Sequence, residues 1–117
     1  MSTPLSFGRD QQGYNAYAPQ PSTDIYNATL TNGNETHITV PKTHAVWVVA
    51  FSIQGGADIW VDLSGGTAAV PAGNTLASAT ATLNPGQRLL TSGTKISMIT
   101  ANTTADVSVE MWPVSYP

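Results

Sequence analysis

The 117-residue chain has no cysteine. That excludes disulfides and thiolate metal sites, and it leaves the redox compartment open. Charge is nearly as scarce: Asp, Glu, Lys and Arg make up 9% of the residues, against an average of about 25% in soluble domains. Such a surface must be built largely from Thr, Ser, Asn, Gln and Gly. It gives little self-repulsion and little long-range steering, and it suits a protein that packs into an assembly. With four Lys and Arg in all and a formal net charge of −3, there is no basic stripe to track phosphates, so nucleic acid is not an expected partner. No apolar run approaches the roughly 18 residues of a membrane-spanning helix. The opening MSTPLSFGRDQQGY has no basic segment followed by an apolar one and does not read as a signal peptide. No segment carries a sustained i, i+3, i+4, i+7 apolar stripe, so no long helix is expected.

What the chain does have is 41% hydrophobic residues arranged in short runs between turn residues. Residues 1–23 stand apart. Pro4, Pro19 and Pro21 argue against regular pairing there, yet Leu5, Phe7, Tyr14 and Tyr17 are anchors that a solvated tail rarely carries. The segment reads as an extended N-terminal arm, docked over its own domain or on a neighbour. From Asp24 to Pro117, strand signals recur about every ten residues: Asp24–Leu30, Thr36–Val40, Ala45–Ile53, Ala57–Leu63, a weak run over Thr75–Leu83, Gln87–Leu90, Thr94–Thr100 and Ala105–Val114. Asn32-Gly33 is a favoured hairpin dipeptide, and Gln54-Gly55-Gly56 reads as a tight turn between two paired strands. About eight short strands with turn-rich joints predict an all-β fold, an antiparallel β-sandwich over residues 24–117. A jelly roll is the first choice and an immunoglobulin-like sandwich the second.

A strand in a sandwich has one core face and one outer face. Ala45–Ile53 is apolar on both, with Trp47, Val49 and Phe51 on one side and Val46, Val48 and Ala50 on the other. Trp60 and Trp112 fall on the polar side of their strands. Leaving two such rings in water forgoes several kcal/mol, at about 25 cal/mol per Å². The second face therefore calls for a cover: the arm, a partner protein, or sugar rings stacked on the tryptophans. Protein is the favoured cover.

Catalytic constellations are weak. Asp58 and Asp62 share a strand face about 13 Å apart, beyond the range of a glycosidase carboxylate pair, and read as solvated carboxylates. His37 and His44 lack a third ligand for zinc. No Gly-x-Ser-x-Gly elbow is present, and Gly55-Gly56 and Gly65-Gly66 precede no helix that could hold a phosphate. No catalytic, cofactor or metal site is expected.

Four segments together carry a resemblance: PLSFGRDQQGYNAYAPQPS, VPKTHAVWVVAFSIQGGADIWVDL, TAAVPAGNTLASATATLNPGQR and SGTKISMITANTTADVSVEMW. In overall texture the chain resembles the small head-decoration, or cement, proteins of tailed bacteriophages. The resemblance implies a β-sandwich or jelly roll on the capsid exterior, assembled in the host cytoplasm. Such a protein binds the major capsid protein and bridges neighbouring subunits, as a dimer or trimer at symmetry axes. It implies no enzyme activity, nucleic acid or membrane. On this reading Leu5, Phe7, Arg9, Tyr14 and Tyr17 anchor the arm, with Arg9 suited to a bidentate contact with a carboxylate. Trp60 and Trp112 lie under the arm or a partner. The alternative is a tail- or fibre-associated protein that touches host glycan through its tryptophans and the polar loop Ser64–Asn74.

Overall fold

A computed structural model of the chain describes residues 2–5, 7–9, 15–72, 76 and 79–114; for 7–9 and 15–19 it describes the backbone alone. Among the described residues there is no helix and there are ten strands: β1 (Phe7–Arg9), β2 (Asn15–Pro19), β3 (Asp24–Thr31), β4 (Thr36–Thr39), β5 (Val46–Ile53), β6 (Ile59–Asp62), β7 (Ala81–Leu83), β8 (Gln87–Thr91), β9 (Lys95–Thr100) and β10 (Thr104–Val114). The last eight form two four-stranded antiparallel sheets, ordered β3-β10-β5-β8 and β4-β9-β6-β7. They fall on the eight runs that alternation and turn residues mark out. The weak seventh run shrinks to Ala81–Leu83, with 73–75 and 77–78 outside the described residues.

The pairing is nested about residues 63–80. β6 pairs with β7, β5 with β8, β4 with β9 and β3 with β10. Two further ladders, β10 with β5 and β9 with β6, complete the sheets. The domain is thus one long antiparallel ribbon, folded back on itself and rolled into two layers. Every link except β6–β7 crosses from one sheet to the other. Asn32-Gly33 and Gln54-Gly55-Gly56 are therefore not hairpin turns, which corrects the sequence expectation. Gly33 and Gly56 do adopt positive φ, 72° and 80°, which suits glycine. A turn dipeptide dictates only the local bend. The partner of β5 is decided by its apolar row, which faces β6 across the core instead of lying beside it.

Between the layers lies one core. From β5 come Trp47, Val49 and Phe51, and from β10 Ala105, Val107, Val109 and Met111. β6 adds Ile59 and Val61, and β9 adds Ile96 and Met98. Trp47 is fully buried. Its indole N–H donates to the His44 carbonyl at 3.1 Å, and the His44 ring meets it edge-on at 5.5 Å. A buried indole thus keeps its one polar group satisfied.

The arm departs from expectation. β1 and β2 pair with each other as an antiparallel two-stranded ribbon, Phe7 opposite Pro19 and Arg9 opposite Asn15, with an irregularity between. Pro19 closes β2, and Pro4 and Pro21 lie outside the strands, so no proline interrupts the middle of either strand. The ribbon forms no ladder with the sandwich. Its root does bind the sandwich. The Leu5 N–H donates to the Pro113 carbonyl at 3.0 Å, and the Thr3 N–H to Thr23 Oγ1 at 2.8 Å. Ser22 Oγ donates to the Met111 carbonyl at 2.5 Å. The Cα envelope measures 51 × 28 × 27 Å.

Candidate interaction surfaces

On the outer face of the β3-β10-β5-β8 sheet, strand register aligns Trp112 with Val48 and Leu89, Val114 with Val46, and Ile25 with Glu110 and Ala50. This apolar band is what makes β5 hydrophobic on both sides. Trp112 is only 4% exposed, and its indole N–H donates to the Gln20 carbonyl at 2.7 Å. The chain's own N-terminal segment is its cover. Val46, Val48 and Ala50 are half-buried, whereas Leu89 is 52% and Ile25 49% exposed. The segment around Gln20 therefore closes one end of the band and leaves the rest open.

The outer face of the other sheet has a different cover. Asp62, Ser97 and Ile99 point outward from β6 and β9, yet all three are buried. The chain after β6 lies over Asp62 and Ser97. The Asp62 carboxylate accepts from the Ser64 N–H at 2.8 Å and the Ser64 hydroxyl at 2.6 Å, and from the Thr80 hydroxyl at 3.1 Å. The Ser64 hydroxyl bond, more than any other contact, holds the Asp62 pKa below its ordinary value, against the opposing effect of burial. Ser97 Oγ accepts from the N–H of buried Ala68 at 2.8 Å and donates to Glu35 at 2.5 Å. Glu35 also meets His37 Nδ1 at 3.1 Å. These two bonds, Ser97 first, lower the Glu35 pKa.

This polar anchorage corrects the sequence reading of Asp62 as a solvated strand carboxylate. Asp62-Leu63-Ser64 has the spacing of a side chain that caps the backbone two residues on, and that signal was available. Nothing in the sequence singled out Ser97, because its partners Glu35 and Ala68 are 62 and 29 residues away.

The expected site residues do not converge. Leu5 is half-buried at the root of the arm. Phe7 and Arg9 are on β1 and Tyr17 is on β2, while Tyr14 lies outside the described residues. Trp60 is half-buried on the outer face of β6, between Ile99 and Leu83 in register. Trp112 belongs to the other sheet, so the two rings face away from each other on opposite sides of the sandwich. They form no common sugar platform. His37 and His44 have separate local partners, and no cluster of three metal-ligating side chains occurs among the described residues. Asp58 is exposed, its N–H held by Asn102 Oδ1 at 2.8 Å. Comparison of the chain with known protein families, characterised proteins and solved structures finds no match.

Proposed function

We propose that this chain is a non-enzymatic virion protein, a capsid decoration (cement) protein that seats a jelly roll on the outside of a phage head. The strand orders β3-β10-β5-β8 and β4-β9-β6-β7, with nested pairs rolled into two layers, fit a jelly roll. The observation that carries the reading is the ribbon β1-β2, whose ladder is closed on itself and joins no strand of the sandwich. A short ribbon with aromatic residues, tethered to a compact body, adds contact area beyond that body's own footprint. The open apolar band of Ile25, Val48 and Leu89 supplies a face to seat on a shell. Sparse charge suits permanent packing over steered encounter. The major capsid protein is the partner, and the location is the virion exterior.

The test is co-sedimentation of the full-length chain with emptied, undecorated phage heads. Saturation at a constant ratio to the shell protein is expected. Phe7→Ala with Tyr17→Ala should lower that affinity by a factor of about 10 to 100. These substitutions are preferable to truncation at Ser22, which would also strip the cover from Trp112. Absence of saturable binding by the intact chain would overturn the reading.

A further inference from the structure

β3 is the outermost strand of its sheet, and the hydrogen bonds define what its free edge offers. The Asn32 N–H donates to the Thr103 carbonyl at 3.3 Å, and the Gln54 N–H to the Asp106 carbonyl at 2.9 Å. Each bond fixes the alternation of its ladder. In register, the even-numbered residues of β3 point their backbone groups at β10, and Ile25, Asn27 and Thr29 point theirs away from the sheet. Among the described residues nothing pairs with those three. The usual guards against edge pairing are missing too: residues 25–29 include no lysine, proline or bulge. Beside the same edge a cleft of about 220 Å³ opens between β3 and β4, with Tyr26, Ala28, Ile38, Met98 and Val107 among its walls. Tyr26 is 37% exposed, and Ala28 is too short to close the gap. Among the described residues the N-terminal segment reaches only the start of the strand, where Thr3 is tied to Thr23 and Ser2 borders Asp24 and Tyr26. None of residues 2–5 lines the cleft.

We propose that this edge pairs with the same edge of a second copy of the chain, β3 antiparallel to β3 about a two-fold axis at Asn27. The free groups select the register. They are symmetric about Asn27, so Ile25 meets Thr29 of the other copy, Asn27 meets Asn27, and each pair exchanges N–H···O bonds. An axis at Ala28 would instead oppose Ile25 to Thr31, whose carbonyl already accepts from the Asn34 N–H at 3.1 Å. In the Asn27 register Tyr26 of each copy stands opposite Ala28 of the other, on the core-facing row. A large ring thus meets the gap left by a small residue, at a cleft larger than the roughly 150 Å³ that takes benzene. Asp24, the one charged residue of β3, falls opposite Leu30, so like charges are not opposed. A contact along eight residues of strand and two layers of sheet covers roughly 500 Å² of each copy, about the lower bound for a specific interface. The dimer is accordingly weak. It is also closed, because a two-fold contact uses the same patch on both copies. It joins two four-stranded sheets into one, with both apolar bands on a single outer surface.

The inference rests on the decoration reading for the use of a paired unit, but the contact itself is tested in free solution, so its failure and the failure of capsid binding are separate results. Sedimentation equilibrium of the full chain, carried up to about 1 mM, should show a monomer–dimer equilibrium. Asn27→Lys sets two like charges opposite each other and should raise the dissociation constant about tenfold or more, and Asn27→Asp should do the same. An equimolar mixture of these two variants should regain the dimer, because position 27 faces its own counterpart. Tyr26→Ala should weaken the dimer by about tenfold. Asn27 is exposed, so both of its variants should melt with the unaltered chain at low concentration. A monomer at every concentration overturns the proposal. So does a dimer indifferent to Asn27→Lys or to Tyr26→Ala, or a mixture no more dimeric than its components.

Discussion

The two sheets solve the same problem by different means. Each has an outer face too apolar, or too deeply covered, to be left in water, and each is covered by its own chain. One cover is a flanking segment, with residues 2–5 and 20–22 running past the end of β10 and the carbonyl of Gln20 closing over Trp112. The other is an internal loop pinned by polar side chains, with Asp62 and Ser97 holding Ser64, Thr80 and Ala68. The first cover is tied down by bonds to backbone carbonyls around one large ring, and the second by hydrogen bonds to two buried side chains, Asp62 and Ser97. The first also stops short, leaving Leu89 and Ile25 in solvent. An apolar cover that stops short forgoes about 25 cal/mol for each Å² left in water, a loss that grows gradually with area. A polar cover has to be complete, because each unsatisfied buried group costs about 1–3 kcal/mol.

Substitutions at three positions sharpen this contrast. The largest effect is expected at Trp112, where Trp112→Ala removes a buried ring and should cost about 3–5 kcal/mol in denaturant unfolding. Trp112→Phe keeps most of the packing, releases the Gln20 carbonyl and should cost roughly 1–2 kcal/mol. A loss below about 1 kcal/mol for Trp112→Ala would mean that the N-terminal segment is not a cover at all.

Next comes Asp62→Ala. It removes the acceptor of three hydrogen bonds from Ser64 and Thr80 and should cost about 2–3 kcal/mol, with the loop after β6 becoming the first site of proteolysis. The same carboxylate gives the loop an acid limit. Asp62 and Glu35 both have pKa values lowered by hydrogen bonds in the folded protein. Their stabilisation is complete above the unfolded-state values, at pH above about 5. It is lost as the pH falls through the depressed folded values. Thermal melts between neutral pH and pH 3 should show this decline, and Asp62→Asn should flatten it. An unchanged pH profile in Asp62→Asn would separate the loop from the carboxylate.

The smallest effect on folding is expected at Leu89. Leu89→Ser lies in the open part of the band and should change stability by no more than about 0.5 kcal/mol. It should nevertheless weaken retention on undecorated heads if that band is the seat on the shell. A large folding defect would show that the band is already covered.

Strand positions were legible because they depend on local signals. β-branched and aromatic residues alternate in Ala105–Val114, and Asn84-Pro85-Gly86 and Ser92-Gly93 punctuate the runs. Partners were not. The pattern of β5 and β6 around Gln54-Gly55-Gly56 is equally consistent with two strands side by side and two strands face to face, and the structure takes the second. The aromatic pair at 60 and 112 was correctly placed on outward rows, but alternation gives no information on which sheet a row belongs to. The pairing of β1 with β2 is hidden in the sequence because a proline reads as a strand breaker, although at a strand end Pro19 is harmless. Of the Asp62–Ser97 anchorage only the local Asp62–Ser64 capping is legible; the contacts of Ser97 with Glu35 and Ala68 form only once the sheet and the loop are both in place.

Nested pairing also sets the order in which the protein can be made. Among the described residues β3 has its ladder only with β10, and Trp112 meets its cover 92 residues earlier in the chain. Such long-range closure places the fold among the slower topologies. Ribosomes add about 5–20 residues per second. The first strand and the aromatic segment before it therefore wait on the order of ten seconds before their partner strand exists. Throughout that interval an unpaired edge and several rings face solvent. The scarcity of charged residues leaves the nascent chain little electrostatic protection, so production should favour slow synthesis at low temperature over high yield at speed.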